Sequence, residues 1–175
     1  MVKWVSCISL RGRVTIDIIE IATRHGPLLE RILAKSTGAL GEILVADLLL
    51  SRGYDVRPTN NNARQSDLIV TPENGLSFSI EVKSDRQKRP TWFVRQCPDV
   101  SVSAFWCFVS APRAVTALPD PSDAEIFVLT SAEVRSLWMS SEWNQKNPQN
   151  GDIRRWQISD DALAAWHKLP ASGRY

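Results

Sequence analysis

The stretch LSFSIEVK, residues 76–83, alternates apolar and polar side chains without a break. Such alternation predicts a β-strand with one buried face, because successive side chains of a strand point to opposite faces. The apolar side chains of this stretch are Leu76, Phe78, Ile80 and Val82. On the opposite face Glu81 and Lys83 are neighbours, about 7 Å apart along the strand. An acid beside a lysine suits a site that handles phosphate, since the carboxylate can hold a divalent metal.

A second strand is predicted over residues 67–71, and a turn containing proline and glycine separates it from this one. This arrangement predicts a β-hairpin. Asp67 lies about seven residues before the centre of the turn and Glu81 about seven after it, so the hairpin places both at the same end. Two carboxylates then converge beside Lys83. Hard oxygen ligands of this kind suit magnesium or manganese and do not suit zinc.

Upstream, residues 37–51 carry apolar side chains at helical spacing, and Gly53 follows in the position of a C-terminal cap. Glu42 and Asp47 are the acidic residues of this helix, and their separation puts them on different faces. We expect Glu42 to reach the metal site as a third acid while the apolar residues of the helix pack on the sheet.

Each of these features alone has an ordinary structural interpretation. An E-x-K sequence on a strand is usually a solvated face, and an aspartate that opens a strand usually belongs to a turn. A glutamate within a helix usually lies on the surface. The order of the four residues together favours a catalytic site, because a helix glutamate, a strand, an aspartate and a hairpin ending in E-x-K rarely follow one another by chance.

The remaining pattern predicts an α/β fold with a mixed central β-sheet flanked by α-helices. We predict further strands over residues 54–56, 104–110, 125–129 and 153–158. We predict further helices over residues 15–23, 27–33, 92–96, 131–139 and 159–168, and a polar loop over 142–151. A single domain accounts for residues 1–175, with a core of about 36–130, N-terminal helices within 1–35 and a C-terminal extension over 131–175.

Composition excludes several classes of protein. The chain has 175 residues, 43% hydrophobic and 23% charged, which is the balance of a folded globular domain. No apolar run approaches the roughly 20 residues that span a bilayer, and residues 14–22 lack the cleavage site of a signal peptide, so we expect no membrane association. The three cysteines, Cys7, Cys97 and Cys107, are widely spaced, which predicts reduced thiols in a cytoplasmic protein.

A net charge of +2 does not by itself indicate nucleic-acid binding, so the local distribution of cations matters more. The candidate nucleic-acid-binding residues are Arg64, Arg86, Lys88, Arg89, Arg95 and Gln96. Most of them directly follow Lys83, where a basic loop would clamp a phosphate backbone and Trp92 would be available for stacking. The alternative is a solvated basic loop. Arg154 and Arg155 beside Trp156 form a weaker candidate.

The ordered set of motifs resembles the PD-(D/E)xK nuclease superfamily, the fold of restriction endonucleases and archaeal Holliday-junction resolvases. The matching segments are Gly41-Glu42, Gly53-Tyr54-Asp55-Val56, Ser66-Asp67-Leu68-Ile69-Val70 and Ile80-Glu81-Val82-Lys83, within residues 36–110. Ser66 stands where the motif name has proline. Gln96 falls where some members carry a further glutamine near the site.

The resemblance implies a restriction endonuclease-like fold and a metal-dependent endonuclease that hydrolyses phosphodiester bonds in DNA, with RNA left open. It implies that Asp67 and Glu81 bind Mg²⁺, with Mn²⁺ as a substitute, and that Lys83 positions or activates the attacking water. Glu42 assists the metal, often through water. An enzyme of this class that cuts both strands is expected to be a homodimer.

Two alternatives remain open at this point. The first is a catalytically inactive relative that uses the nuclease fold to bind nucleic acid or a protein partner, which the modest net charge and the seven tryptophans favour. The second is an unrelated α/β interaction domain with a chance E-x-K sequence. A Glu42 that lies far from Asp67 and Glu81 would favour the second alternative, because acids that share one hydrated metal ion must lie close to one another.

Overall fold

The computed structural model describes residues 37–59, 66–73, 75–85, 90–110 and 124–172. The predicted N-terminal helices lie outside these ranges, and so do four of the candidate nucleic-acid-binding residues, namely Arg64, Arg86, Lys88 and Arg89.

A mixed central sheet organises the described part of the chain. Its strands are β1 (Asp55–Pro58), β2 (Leu68–Thr71), β3 (Phe78–Asp85), β5 (Phe105–Ser110) and β6 (Glu125–Thr130), in the order β1-β2-β3-β5-β6. The β3 and β5 strands are parallel, and the other neighbours are antiparallel. The predicted α/β class with a mixed sheet and flanking helices is therefore confirmed, and so is the predicted hairpin of β2 and β3.

The remaining elements surround this sheet. They are the helices α1 (Thr37–Ser51), α2 (Ser131–Ser140) and α3 (Glu142–Lys146), and a small second sheet in which β4 (Thr91–Phe93) pairs with β7 (Asp152–Arg154). A capping box opens α2: Oγ1 of Thr130 accepts a hydrogen bond from the amide of Glu133, whose carboxylate accepts one from the amide of Thr130.

Helix α1 ends in the glycine cap that the sequence predicts. The amide of Tyr54 donates to the carbonyl of Leu49 (3.2 Å), and the amide of Gly53 donates to the carbonyl of Leu50 (2.9 Å). These two bonds define a Schellman motif. Gly53 has a φ of 87°, which a residue with a Cβ rarely adopts, so glycine is required for the sharp turn into β1.

Two hydrophobic clusters cover the two faces of the sheet in the described residues. The first, under α1, is mainly aliphatic and includes Ile43, Leu49, Ile80, Val82 and Val128. The second is rich in aromatic side chains and includes Trp92, Trp106, Phe108, Phe127 and Trp138. Strand β5 contributes side chains to both clusters, because its side chains alternate between the two faces of the sheet.

The segment after β6 completes both clusters. It contributes Val134, Trp138 and Ile153 to the aromatic cluster and Leu169 to the aliphatic one. Asn144 is fully buried; its amide nitrogen donates to the carbonyl oxygens of Trp138 and Asp152, while its Oδ1 accepts from the amide of Asp152. These bonds hold α3 against β7.

Several predictions for the second half of the chain are wrong. Residues 92–96 do not form a helix, because Trp92 and Val94 are buried and Phe93 is exposed, which is the period of a strand. The predicted loop over 142–151 contains α3, which Ser141 caps. The predicted strand over 153–158 ends at Arg154 and continues as a 3-10 turn.

The predicted final helix over 159–168 is also wrong. Two 3-10 turns, Asp160–Ala162 and Trp166–Lys168, take its place. Ala164 between them has a φ of 48°, a left-handed conformation that interrupts any α-helix. Its amide donates to the carbonyl of Ile126 on β6, so a contact with the sheet determines the local conformation.

Candidate active site

The hairpin and the parallel pairing of β3 with β5 together position Glu81 and Lys83. Glu81 pairs with Trp106 of β5, and Lys83 pairs with Phe108, so all four side chains share the face of the aromatic cluster. The ammonium of Lys83 forms an ion pair with Oε1 of Glu81 and lies 5.9 Å from the centroid of the Trp106 ring. Trp106 is itself fixed, because its Nε1 donates to Oγ of Ser131 (3.0 Å).

Asp67 reaches this pair through an irregularity at the end of the hairpin. Its amide donates to the carbonyl of Ile80 (3.0 Å), although the ladder pairs Leu68 with Ile80. Asp67 and Leu68 therefore both face Ile80, the arrangement of a β-bulge, which is common beside active sites because it redirects a side chain. Beyond the bulge, Oδ2 of Asp67 accepts a hydrogen bond from the amide of Val82 at 2.8 Å.

This hydrogen bond brings the carboxylate of Asp67 beside the backbone between Glu81 and Lys83. The two carboxylates are close enough to interact electrostatically. Burial, and next the negative charge of Asp67, raise the pKa of Glu81 above its ordinary value, and Lys83 offsets part of this effect. A further cation beside the pair would relieve the repulsion, so the arrangement favours binding of a positively charged ion.

Glu42 is placed differently from the other three predicted site residues. It is buried within α1, which packs on the opposite face of β3. A Cβ at the preceding residue, Gly41, would overlap Oγ of Ser84 and lie 3.6 Å from a methyl group of Val82, so the helix nearly touches that face of the strand. The close approach explains why a glycine precedes Glu42.

The carboxylates of the described residues fit some metals and not others. No group of three or more His, Cys, Asp or Glu side chains lies together as a ligand set in this part of the chain. A structural zinc ion, which needs four protein ligands, therefore does not fit. Magnesium does fit, because it keeps several waters and binds through one or two carboxylates together with substrate phosphates. Asp67 and Glu81 are the pair with that chemistry.

A groove of about 530 Å³ opens beside the pair. Glu81 and Lys83 line it together with Arg95 and Gln96, which are both exposed. The structure thus brings two of the predicted nucleic-acid-binding residues to the same groove as Glu81 and Lys83. Nε2 of Gln96 lies 3.4 Å from Oε1 of Gln149, so its amide makes one weak contact on the surface.

Two aromatic residues that line this groove belong to none of the sequence motifs described above. Phe93 and Trp106 both line it. The apolar run FWCFVS, residues 105–110, is the local signal for the strand of Trp106, although the face that Trp106 shares with Glu81 follows from the pairing of β3 with β5. Phe93 has no comparable signal, because β4 is only three residues long and depends on its pairing with β7.

Comparisons with known proteins give little further information. No family model matches the chain, and no curated protein matches it. A solved structure, the bacterial homing endonuclease I-Ssp6803I, is similar at 14% sequence identity with a TM-score of 0.47, covering 75% of this chain and 87% of that one. Within the described residues, no helix is both long enough and apolar enough to cross a bilayer.

Proposed function

We propose that this protein is a metal-dependent endonuclease that hydrolyses phosphodiester bonds in DNA. The observation that carries the proposal is the convergence of Asp67 and Glu81 beside Lys83, at the edge of a groove that also contains Arg95. Burial of Glu81 and its repulsion by Asp67 are costly for stability, and Lys83 offsets only part of this cost, so a purely structural role accounts poorly for the cluster.

In this proposal Asp67 and Glu81 hold Mg²⁺, or Mn²⁺ in its place. A bound ion of this kind supplies charge neutralisation at the phosphate and lowers the pKa of water. The hydrogen bond from the amide of Val82 fixes one oxygen of Asp67 and leaves its other oxygen for binding. Glu81 is held by Lys83, so both carboxylates are oriented before a ligand arrives.

Lys83 has two roles here. Its ammonium lines the groove, where it donates hydrogen bonds to a phosphate oxygen or to the attacking water. It also favours the ionised form of Glu81, because it offsets part of the effects of burial and of Asp67 on the pKa of Glu81. The ring of Trp106 under the ammonium restricts where Lys83 reaches.

We assign Glu42 an assisting role through water rather than direct ligation. It belongs to the helix that covers the other face of β3, and the described residues contain no cluster of three acidic ligands. A homodimer that cuts both strands of a duplex stays part of the proposal as an expectation from the class of enzyme.

The test is cleavage of plasmid, linear, single-stranded and branched DNA with Mg²⁺ or Mn²⁺ against a chelator. Wild type is compared with Lys83→Ala, Asp67→Ala and the matched control Lys146→Ala, which removes the lysine of an exposed ion pair on α3. We expect metal-dependent cutting in wild type and the control, and a loss of about 10³-fold in the other two.

The opposite result is equally informative. A folded wild-type protein that binds DNA but cuts none of these substrates with either metal contradicts the proposal and favours the catalytically inactive alternative. Cleavage that persists in Lys83→Ala and Asp67→Ala places the active site elsewhere in the chain.

A further inference from the structure

The groove beside Glu81 and Lys83 has an apolar wall as well as charged residues. Phe93 and Val102 form part of this wall, and both side chains are exposed, Phe93 by 69% and Val102 by 38%. An exposed phenylalanine is unremarkable when it stands alone on a surface. Here it borders the same groove as the candidate catalytic residues, where an aromatic ring has a specific use.

The position of Phe93 follows from the short strand β4. Trp92 points into the aromatic cluster, where its Nε1 donates to the carbonyl of Val109 (3.0 Å), so the alternation of the strand turns Phe93 outward. The backbone under Phe93 is held by its pairing with Asp152 of β7. The ring therefore projects from a stretch of backbone that is already paired before a ligand binds.

We propose that this groove binds an unpaired nucleotide of the substrate, next to the phosphate to be cut, with its base stacked on Phe93. This inference rests on the proposed nuclease function and specifies its substrate class. A base inside a duplex is already stacked on its neighbours, so only an unpaired or extruded base can enter a groove of about 530 Å³.

The polar groups of the groove agree with this arrangement. Lys83 and Arg95 provide positive charge for the phosphate, and the amide of Gln96 offers both a donor and an acceptor for the edge of a base. Asp99 also lines the groove, and its carboxylate accepts hydrogen bonds from the amide and the hydroxyl of Ser101. Because a phosphate is repelled by a carboxylate, we place it at the cations Lys83 and Arg95 and not at Asp99.

The experiment measures binding and stacking without cleavage, with Ca²⁺ in place of Mg²⁺. The probes are single-stranded and duplex DNA oligonucleotides of the same sequence that carry 2-aminopurine, whose fluorescence falls when the base stacks. We expect tighter binding and stronger quenching with the single strand. Phe93→Ala should weaken this binding about 5- to 150-fold, the range for the loss of one base–aromatic stack, and abolish the quenching.

Two variants control for other effects. Phe93→Tyr keeps the ring and should keep both the affinity and the quenching. Trp143→Ala removes a side chain of α3 that is 51% exposed and does not line the groove, and should change neither. Because Phe93 is exposed, its replacement is expected to leave the fold intact, and the melting temperature checks this.

The outcomes separate this inference from the proposed function. If wild type cuts DNA but Phe93→Ala binds and quenches like wild type, the inference is wrong and the nuclease function stands. The same conclusion follows if duplex DNA binds as tightly as the single strand. If the single strand binds and quenches through Phe93 but no metal supports cleavage, the groove is a binding site and the nuclease function is wrong.

Discussion

One face of β3 packs against α1, whereas the other face lines the groove. Burial stabilises the apolar side chains of the first face and opposes the ionised form of the acid on the second. Ile80 and Val82 on the helix face are apolar and lie in the aliphatic cluster, where burial stabilises the fold. Glu81 and Lys83 on the groove face are charged and partly buried. There burial raises the pKa of Glu81 and so opposes its ionised form.

The difference shows how one strand serves both stability and chemistry. Because side chains alternate, neighbouring residues experience separate environments although their backbones are continuous. Replacement of Glu81 on the groove face should therefore reduce activity without loss of stability, whereas overpacking on the helix face should reduce stability first. Substitutions of Glu81, Gly41, Glu42 and Ser84 test how far this separation holds.

The largest expected effect is that of Glu81→Gln. We expect it to reduce the rate of DNA cleavage about 10³-fold, because a carboxylate ligand to the metal is lost while the shape of the side chain is kept. The same substitution should raise the melting temperature at neutral pH, since it removes a partly buried charge next to Asp67. A variant that loses both activity and stability would contradict the separation of the two faces.

The pH dependence of stability tests the raised pKa of the Glu81 carboxyl group. Its pKa in the folded protein is raised above the ordinary 4.5, so between these two values the folded protein holds a proton that the unfolded chain has released. The contribution of this carboxyl group to the free energy of unfolding then falls as the pH rises through this window. Thermal unfolding from about pH 4 to about pH 8 should show this fall in wild type and less of it in Glu81→Gln.

Metal binding adds a control to this comparison. Magnesium that binds the folded state should raise the melting temperature of wild type. At a magnesium concentration 100 times the dissociation constant, the free energy of unfolding should increase by about 2.7 kcal/mol. The Glu81→Gln variant should gain much less. An equal gain in both proteins would show that the ion binds elsewhere.

On the helix face, Gly41→Ala should lower the free energy of unfolding by about 1–3 kcal/mol, the usual cost of overpacking. The added Cβ would overlap Oγ of Ser84 and lie 2.9 Å from its Cβ. Gly38→Ala on the same helix is the matched control, because a Cβ there meets no atom within 4 Å. It should instead stabilise by about 0.5–1 kcal/mol through helix propensity.

Urea unfolding of the two alanine variants measures both values. Similar stabilities for Gly41→Ala and Gly38→Ala would mean that α1 does not approach β3 as closely as the contact with Ser84 requires. The opposite signs expected here make the comparison independent of the absolute stability of the protein.

Glu42→Gln tests whether the site extends beyond the groove face. As an assisting acid that acts through water, Glu42 should contribute about 10- to 100-fold to the rate of cleavage, less than Glu81. The control is Asp47→Asn, the other acid of α1, which should have no effect on the rate. A loss as large as that of Glu81→Gln would place Glu42 among the direct ligands, and no loss would remove it from the site.

The elements predicted best from the sequence are those whose signals are local. The alternation of residues 76–83 identified β3 and its two faces, and the turn before it identified the hairpin. Helix α1 with its cap at Gly53 and the capping box of α2 also follow from short patterns. The spacing across the turn was sufficient to bring Asp67 near Glu81, because the register of a hairpin depends on its turn.

The elements predicted wrongly depend on contacts that a local pattern does not contain. Strand β4 exists because Trp92 is anchored to Val109 and the strand pairs with β7. The break in the expected final helix arises where Ala164 binds the backbone of β6. Within the site, the bulge at Asp67 and the aromatic wall at Phe93 are likewise consequences of tertiary packing, so the four-residue motif indicated a chemistry but not the groove beside it.

The smallest expected effect concerns Ser84, where the helix face itself contains a polar group. Its Oγ is buried and forms no hydrogen bond with the described residues. Ser84→Ala should therefore raise the free energy of unfolding, by about 1 kcal/mol or less, because an unsatisfied hydroxyl is removed from the interior. In the Gly41→Ala background the gain should be larger, since the atom that the new Cβ overlaps is then absent. A double-mutant cycle measures this coupling, and a coupling energy of zero would mean that the helix accommodates Gly41→Ala by moving away from β3.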